Sequence, residues 1–332
     1  MTSRVSAAMR ERQARTVANL NVRPSGLSLQ QHELSVVAPY RLDLTVSALR
    51  RLSTNVVDVF TADGCYVRAL AGTHGPVIVR ATQVHPKKLV VTLDGDARDG
   101  AEYAPLLALV RRVLGVDCDI ARFTRAAARL PWLSPLARRM RGVKPPRYPT
   151  LWEAFVNAIV FQQVSLQAAS TIARRLIETL GTSLESGGTP LYLFPEAERL
   201  LVAGDGELRA MGLSASKIAT LRRSGEALVS GALDATMLEE RSSHDAAALL
   251  QQIKGIGPWT ATVILLRGLG RLDVFPMNDT SVAHNIALVA GKGPLDVAGI
   301  LGALSPQQGM LYYHLLLARL EARGEVGRAS VP

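Results

Sequence analysis

A chain of 332 residues, 48% of them hydrophobic, is long enough for two domains or one large one and has ample material for a packed core, which excludes a disordered chain. It carries 38 Lys and Arg against 28 Asp and Glu, a formal charge of +10 that favours phosphate-bearing partners through counterion release. No apolar run is long enough to span a bilayer, and the first residues lack the apolar block of a secretory signal, so a cytoplasmic protein with no membrane partner is expected. Cys65 and Cys118 are the only cysteines, too few for a four-cysteine iron–sulfur or zinc site and no basis for a disulfide framework. His32, His74, His85, His244, His284 and His314 are scattered without metal-ligand spacing, so no metal centre is expected.

In chain order, residues 1–30 open with Arg4, Arg10, Arg12 and Arg15 against Glu11 alone. They read as a basic arm without fixed structure, with an organelle-targeting peptide as the alternative. Strand-like runs follow at Leu34–Val37, Val56–Phe60, Tyr66–Leu70, Val77–Thr82 and Leu89–Leu93, and Ala62-Asp63-Gly64 reads as a hairpin turn. Helical spacing is present at Leu44–Leu52 and at Tyr103–Leu114, where Gly115 ends the helix. Residues 31–118 are therefore expected to form a small α+β domain, an antiparallel sheet with helices against it.

Residues 119–325 are expected to be all-helical. Between Ile120 and Trp152 stand eight Lys or Arg (Arg122, Arg125, Arg129, Arg138, Arg139, Arg141, Lys144, Arg147) and no acid. Such a run is either solvated surface or a phosphate-facing edge. The Pro- and Arg-rich stretch 134–150 opposes regular structure and suits a connector. Thr150 caps the next helix with Glu153 reaching back as a capping box, and the helix runs to about Phe161. Ser165 caps a helix ending at Leu180 before Gly181, and Ser214 caps one running to about Ala227. No β-type alternation is expected to return; Ser186–Gly188 is a short low-complexity stretch.

A short helix, Ala246–Lys254 with Asp245 as its cap, breaks at Gly255-Ile256-Gly257. Pro258 then occupies the first position of a new helix running through Trp259 to Arg267. Two glycines permit a sharp turn and leave amides at a helix N-terminus, where the dipole favours an anion, while Ile256 plugs the turn into the core. The third glycine and the preceding strand of a dinucleotide fingerprint are missing. Twenty residues after Trp259 comes Asp279, which taken alone reads as a helix cap.

The segments Lys254-Gly-Ile-Gly-Pro-Trp-Thr-Ala261, Asp273-Val-Phe-Pro276 and Asn278-Asp279 together resemble the signature of the helix-hairpin-helix DNA glycosylases, most of all the 3-methyladenine DNA glycosylase II (alkylation repair) family. Ala158-Ile-Val-Phe-Gln-Gln-Val-Ser165 and the stretch Leu208–Lys217 are similar to further parts of that family, and the sheet domain to its TATA-binding-protein-like appended domain. The resemblance covers roughly residues 32–320. It implies a monofunctional glycosylase of base excision repair that frees alkylated purines from double-stranded DNA, acting as a monomer at the nucleoid. Asp279 would be the catalytic carboxylate and Trp259 part of the base pocket. Gln162 and Gln163 would fill the gap left by the flipped base, and Gly255, Gly257 and Thr260 would contact DNA.

Family members that also cut the strand carry a lysine where this chain has Trp259, so no Schiff-base lyase is implied. The family's pocket aromatics are replaced by Val263 and Gln307, and its leucine wedge by Gln163. No redox cofactor is implied; a monovalent cation on hairpin carbonyls is left open. A non-catalytic DNA-damage binder that kept the hairpin, and a small-molecule enzyme with an incidental Gly-x-Gly, remain the competing readings.

Overall fold

The computed structural model describes residues 28–95, 103–277, 286, 288–291 and 296–326. Alternating apolar residues build the sheet: β1 (Ser28–Ser35), β2 (Val59–Phe60), β3 (Cys65–Gly72), β4 (Gly75–His85) and β5 (Lys88–Gly95) pair antiparallel in the order β1-β5-β4-β3-β2. In β5, Leu89, Val91 and Leu93 are buried while Val90, Thr92 and Asp94 are only partly so, the period-two pattern of a strand with one face on the core. Gly64, at φ +83°, turns the chain between β2 and β3 as expected. β1 begins at Ser28, inside the stretch expected to be an unstructured arm, because its backbone pairs with β5 from Ser28 opposite Gly95 onward. The rest of that arm, residues 1–27, lies outside the described residues. Helix α1 (Leu42–Arg50) buries nearly every side chain, and α2 (Tyr103–Val113) ends before Gly115 at φ +58°.

The following helices are α3 (Ala121–Ala128), α4 (Ser134–Arg139), α5 (Leu151–Val160), α6 (Leu166–Leu180), α7 (Ala197–Val202), α8 (Asp205–Ala210) and α9 (Ala215–Val229). They continue with α10 (Ala235–Glu239), α11 (Ser243–Gln251), α12 (Pro258–Ile264, widening into a π turn at Leu265–Leu269), α13 (Val297–Leu304) and α14 (Gly309–Glu321).

Two expectations are corrected. The supposed connector contains a helix, α4, because Pro135 sits in its first turn, where a missing N–H is tolerated, and Leu136 and Ala137 bury its inner face. The carboxy-terminal part is also not purely helical. β6 (Thr182–Ser186) and β7 (Thr189–Leu193) form a hairpin whose two-residue turn, Gly187-Gly188, has φ of +58° and +77°. The hairpin exists to cover the outer face of β3: Leu191 is fully buried against Val67 and Ala69. That partner lies over a hundred residues away in sequence, so local periodicity does not reveal it.

Caps behave as expected at three helices: Thr150 Oγ1, Ser165 Oγ and Ser214 Oγ accept from the amides of Glu153, Ala168 and Lys217. At α11 the cap is Ser242 rather than Asp245; the serine hydroxyl accepts the Asp245 amide at 3.1 Å and donates to its carboxylate at 2.6 Å, a reciprocal arrangement across three residues. Glu153 does not reach back to its cap either. Its carboxylate accepts from Arg68 of β3, which also holds Asp58 at 2.6 Å, and all three side chains are buried.

One apolar core runs from Leu34 and Leu89 in the sheet through Phe155 of α5 to Ile264 of α12, so sheet and helices are packed as one body at this ion cluster. Burial pushes the Glu153 carboxyl up to about 7, with Asp58 adding to the rise against the opposing pull of Arg68. A carboxyl with a raised folded pKa binds its proton more tightly folded than unfolded. Its contribution is fully present below the ordinary value of 4.5 and is lost as pH climbs through about 7. Urea midpoints of the wild type should therefore fall as pH rises across that window. Glu153→Gln, neutral throughout, should show a flatter profile; equal pH slopes for the two proteins would refute the assignment.

Candidate functional site

Helix α5 ends at Val160 and α6 starts after the Ser165 cap, leaving a four-residue corner, Phe161 to Val164. Gln163 sits at φ +53°, a left-handed conformation uncommon for a residue with a side chain, and both Gln163 and Val164 project into solvent. Gln162 points the other way. Its Nε2 donates to the Gly255 carbonyl at 3.2 Å and to Thr260 Oγ1 at 2.6 Å, tying the corner to the glycine turn. Lys217 of α9 fixes the end of α5 by donating to the Val160 carbonyl at 2.8 Å, and its partial burial holds its pKa below the usual lysine range.

The glycine turn has the expected build. Ile256 is 4% exposed, anchored in the main core, and its amide donates to the Ile253 carbonyl. Gly255 has φ +104°, and a Cβ there would lie 2.0 Å from Thr220 Oγ1, so conformation and space both demand glycine. Arg223 closes the other side by donating to the Lys254 carbonyl at 2.9 Å. Gly257 is the N-cap of α12 at an ordinary φ of −92°, with open space around it. Pro258 follows, and no side chain caps this helix end, so the turn presents amides and a positive dipole end to solvent.

The remaining predicted residues are placed as follows. Trp259 is half-buried and packs on the main core with one part still accessible. Thr260, expected to contact DNA, is 2% exposed, and its hydroxyl accepts a hydrogen bond from Gln162 Nε2. Val263 is buried in the core. Gln307 accepts from the Phe123 amide at 2.8 Å and donates to the Asp119 carbonyl at 2.7 Å, so its amide is committed to holding α3. Leu272 and Asp273 open the segment toward Asp279, and their carbonyls accept from the Gly309 amide and the Gln308 side chain. Phe275 is buried beside them. Asn278, Asp279 and His284 themselves lie outside the described residues.

Thr220 and Arg223 on α9 are the contributors that sequence reasoning missed, while Lys217 lay in a family-like stretch without being given a part. They are polar residues on a half-exposed helix, and nothing in their spacing signals that α9 backs the glycine turn. Among the described residues no group of three or more His, Cys, Asp or Glu could hold a metal ion, and no helix is long and apolar enough to cross a membrane.

The two turn glycines should separate cleanly. Gly255→Ala forces a Cβ onto Thr220 in a left-handed conformation and should cost about 1 to 3 kcal/mol of stability. Gly257→Ala meets open space and should leave the thermal midpoint within a degree or two of the wild type, roughly 0.5 kcal/mol. Thermal unfolding of the two variants side by side checks this, and equal losses would contradict the geometry.

Comparison with known proteins follows the same division. Residues 156–292 match the HhH-GPD superfamily of base excision DNA repair proteins, and residues 31–150 match the AlkA N-terminal domain. The DNA-3-methyladenine glycosylase of Bacillus subtilis (strain 168) is 26% identical over 214 residues, 64% of this chain and 71% of that protein. DNA-3-methyladenine glycosylase 2 of Escherichia coli (strain K12) is 29% identical over 220 residues, 66% of this chain and 74% of that one. The chain spans about half (47%) of a 32%-identical Mycobacterium tuberculosis relative whose name couples a transcriptional activator to a DNA repair enzyme. In three dimensions the 3-methyladenine DNA-glycosylase from Archaeoglobus fulgidus shares the fold with a TM-score of 0.73 at 23% identity, over 88% of this chain and 99% of that one. The chain therefore carries an AlkA N-terminal domain over residues 31–150 ahead of an HhH-GPD base excision DNA repair domain over residues 156–292, the domain pair of a DNA glycosylase.

Proposed function

We propose that this glycosylase hydrolyses the N-glycosidic bond of alkylated purines in double-stranded DNA and leaves an abasic site without cutting the strand. The observation that carries the reading is the pair of hydrogen bonds from Gln162 to Gly255 and Thr260. They lock an exposed corner and an anion-accepting helix end into one rigid unit, as a protein that grips a phosphate while intruding into a duplex requires. The names of the Bacillus and Escherichia relatives supply the substrate class.

A base inside a duplex is out of reach of any side chain, so the nucleotide is turned out into the protein. The hairpin amides at Gly255 and Gly257 hold the backbone of the strand, and Gln163 with Val164 occupies the space the base leaves. The half-buried indole of Trp259 offers its face to the extruded base; toward a cationic alkylated purine that contact is worth about 0.5 to 2 kcal/mol. Such a base is already a good leaving group. The glycosidic bond breaks with its electron pair going to the base, positive charge grows on the sugar, and water adds to the anomeric carbon with loss of a proton. Asp279, ionised, stabilises that charge and orients the water. Water is the one co-reactant. A cation on the hairpin would share the Lys254 and Gly255 carbonyls with Arg223 and Gln162, which already engage them.

Asp279→Asn keeps size and capping capacity and removes the charge. Single-turnover excision from methylated DNA should fall about 100- to 10,000-fold, some 3 to 5 kcal/mol, with duplex binding retained. Were Asp279 only a helix cap, excision would be unchanged and stability would drop by a few tenths to about 1 kcal/mol. Near-wild-type excision by the variant removes the catalytic assignment and leaves a DNA binder.

With Trp259 in place of a lysine, no imine with the abasic sugar can form at that position. Incubation with damaged DNA and borohydride should trap no covalent adduct, and denaturing gels should show breaks only after alkali. A trapped adduct would overturn the monofunctional assignment.

A further inference from the structure

Six of the eight cations between Ile120 and Trp152 are exposed; the other two are structural, Lys144 donating to the Cys118 carbonyl and Arg147 lying against Gly270. On α3, Arg122, Arg125 and its capping Arg129 recur at intervals of three and four residues and line one side of the helix, opposite the buried Phe123 and Ala127. Helix α4 packs beside α3 and adds Arg138, with Arg141 just past its end. Arg139 holds Glu321, but Arg122, Arg125, Arg129, Arg138 and Arg141 have no ion pair or hydrogen bond among the described residues. Elsewhere on the surface Arg111, Arg174 and Arg222 are matched by Asp117, Glu178 and Asp205. The one carboxylate at the start of α3, Asp119, is spent on the Ala121 amide.

This face is also tied to the proposed reaction site. Gln307 joins the first turn of α3 to the chain preceding α14. The next two residues, Gln308 and Gly309, hold the Asp273 and Leu272 carbonyls, the start of the segment that leads to Asp279. The basic side of α3 is therefore anchored through three consecutive residues to the segment bearing the proposed carboxylate, on a different element from the glycine hairpin.

We infer that the arginine face of α3 and α4 is a second phosphate-binding surface, which takes the DNA backbone beyond the stretch held by the hairpin. The inference rests on the reading of the substrate as duplex DNA. Three unpaired like charges on one side of α3, with Arg138 and Arg141 on and just past the neighbouring helix, repel each other, and a polyanion relieves that repulsion while releasing its own counterions. Guanidinium groups suit the task because their planar fork can hold two phosphate oxygens at once.

The test uses the full chain with Arg122, Arg125 and Arg129 all changed to Gln, and a companion with all three changed to Lys. Binding to an undamaged duplex is measured across a salt series. Each lost phosphate contact lowers the slope of log K against log salt by about 0.9, so the Gln variant should lose about 2.7 in slope and the Lys variant should keep most of it. The Gln variant should also lose the advantage of a long lesion-bearing duplex over a short one, while excising at the wild-type rate once DNA is saturating. An unchanged slope and an unchanged length dependence would overturn the inference. So would loss of binding to phosphatidylglycerol vesicles with the DNA slope intact, which would assign the face to a lipid surface. Failure of the wild type itself to bind duplex would instead remove the reading on which the inference rests.

Discussion

Moving charge out of water costs several kcal/mol per ion, and a protein recovers it only through close geometry. Arg68 recovers it from two directions: Asp58 comes from the chain just before β2, and Glu153 from the first turn of α5. Replacing such a cluster with apolar residues of equal volume would sacrifice little stability, so its return is positional. It fixes where α5 stands on the sheet. Two further arginines work the same seam. Arg267, fully buried in the π turn after α12, donates to the carbonyls of Ala48 and Leu49 at the end of α1. Arg51 stacks its guanidinium 3.7 Å from the Phe161 ring. Burial would raise the Tyr312 phenol, yet Arg51 and Arg267 more than offset that and hold its pKa below the usual range. The sheet is thus fastened to α5, and α1 to the end of the helix that carries the hairpin.

Once α5 is placed, the site follows from short-range contacts. The corner after α5 delivers Gln162 to the hairpin, α9 delivers Thr220 and Arg223 to its other side, and Ile256 is driven into the core. None of these groups needs to move for the turn to present its amides. Preorganisation of this kind matters for a protein that grips a polyanion, because ordering a loose loop on binding would subtract from the affinity. It also explains why a chain with only 5% aromatic residues can still build such a surface. At the turn the exposed groups are backbone amides, and the side chains around them serve to hold them still.

What the sequence made legible was whatever is encoded locally. The alternation of the strands, the hairpin at Gly64, the caps at Thr150, Ser165 and Ser214, and the Gly-x-Gly-Pro break before α12 are all written in residues a few positions apart, even where the contacts that hold them come from farther away. What escaped was set by tertiary partners. The β6–β7 hairpin is held by the outer face of β3, although Gly187-Gly188 between short runs is itself a hairpin signal that could have been read. Glu153 sits at capping-box spacing, but a buried cation offers a carboxylate more than a solvent-facing amide does, and Arg68 takes it. Thr260 looked like a surface hydroxyl beside a DNA-binding turn. The helical twist turns it inward, one position past the indole.

The corner after α5 is held in a conformation its own backbone disfavours. A left-handed backbone at a residue with a side chain costs on the order of 1 to 3 kcal/mol and persists only where its surroundings enforce it. At Gln163 the enforcement is visible on both flanks. Phe161 is pinned by Arg51, Gln162 by the hairpin, the end of α5 by Lys217, and the start of α6 by the Ser165 cap. Glycine at this position would relieve the strain, so fold stability alone does not select glutamine here. The enforced geometry has one evident product: it swings Gln163 and Val164 out of the helix pair into solvent, leaving an amide and a branched apolar side chain on a rigid tip. Exposing Val164 at 39% gains the free protein nothing from hydrophobic burial. A tip held out under strain, half polar and half apolar, beside an uncapped helix N-terminus, fits the duplex-inserting role proposed for it.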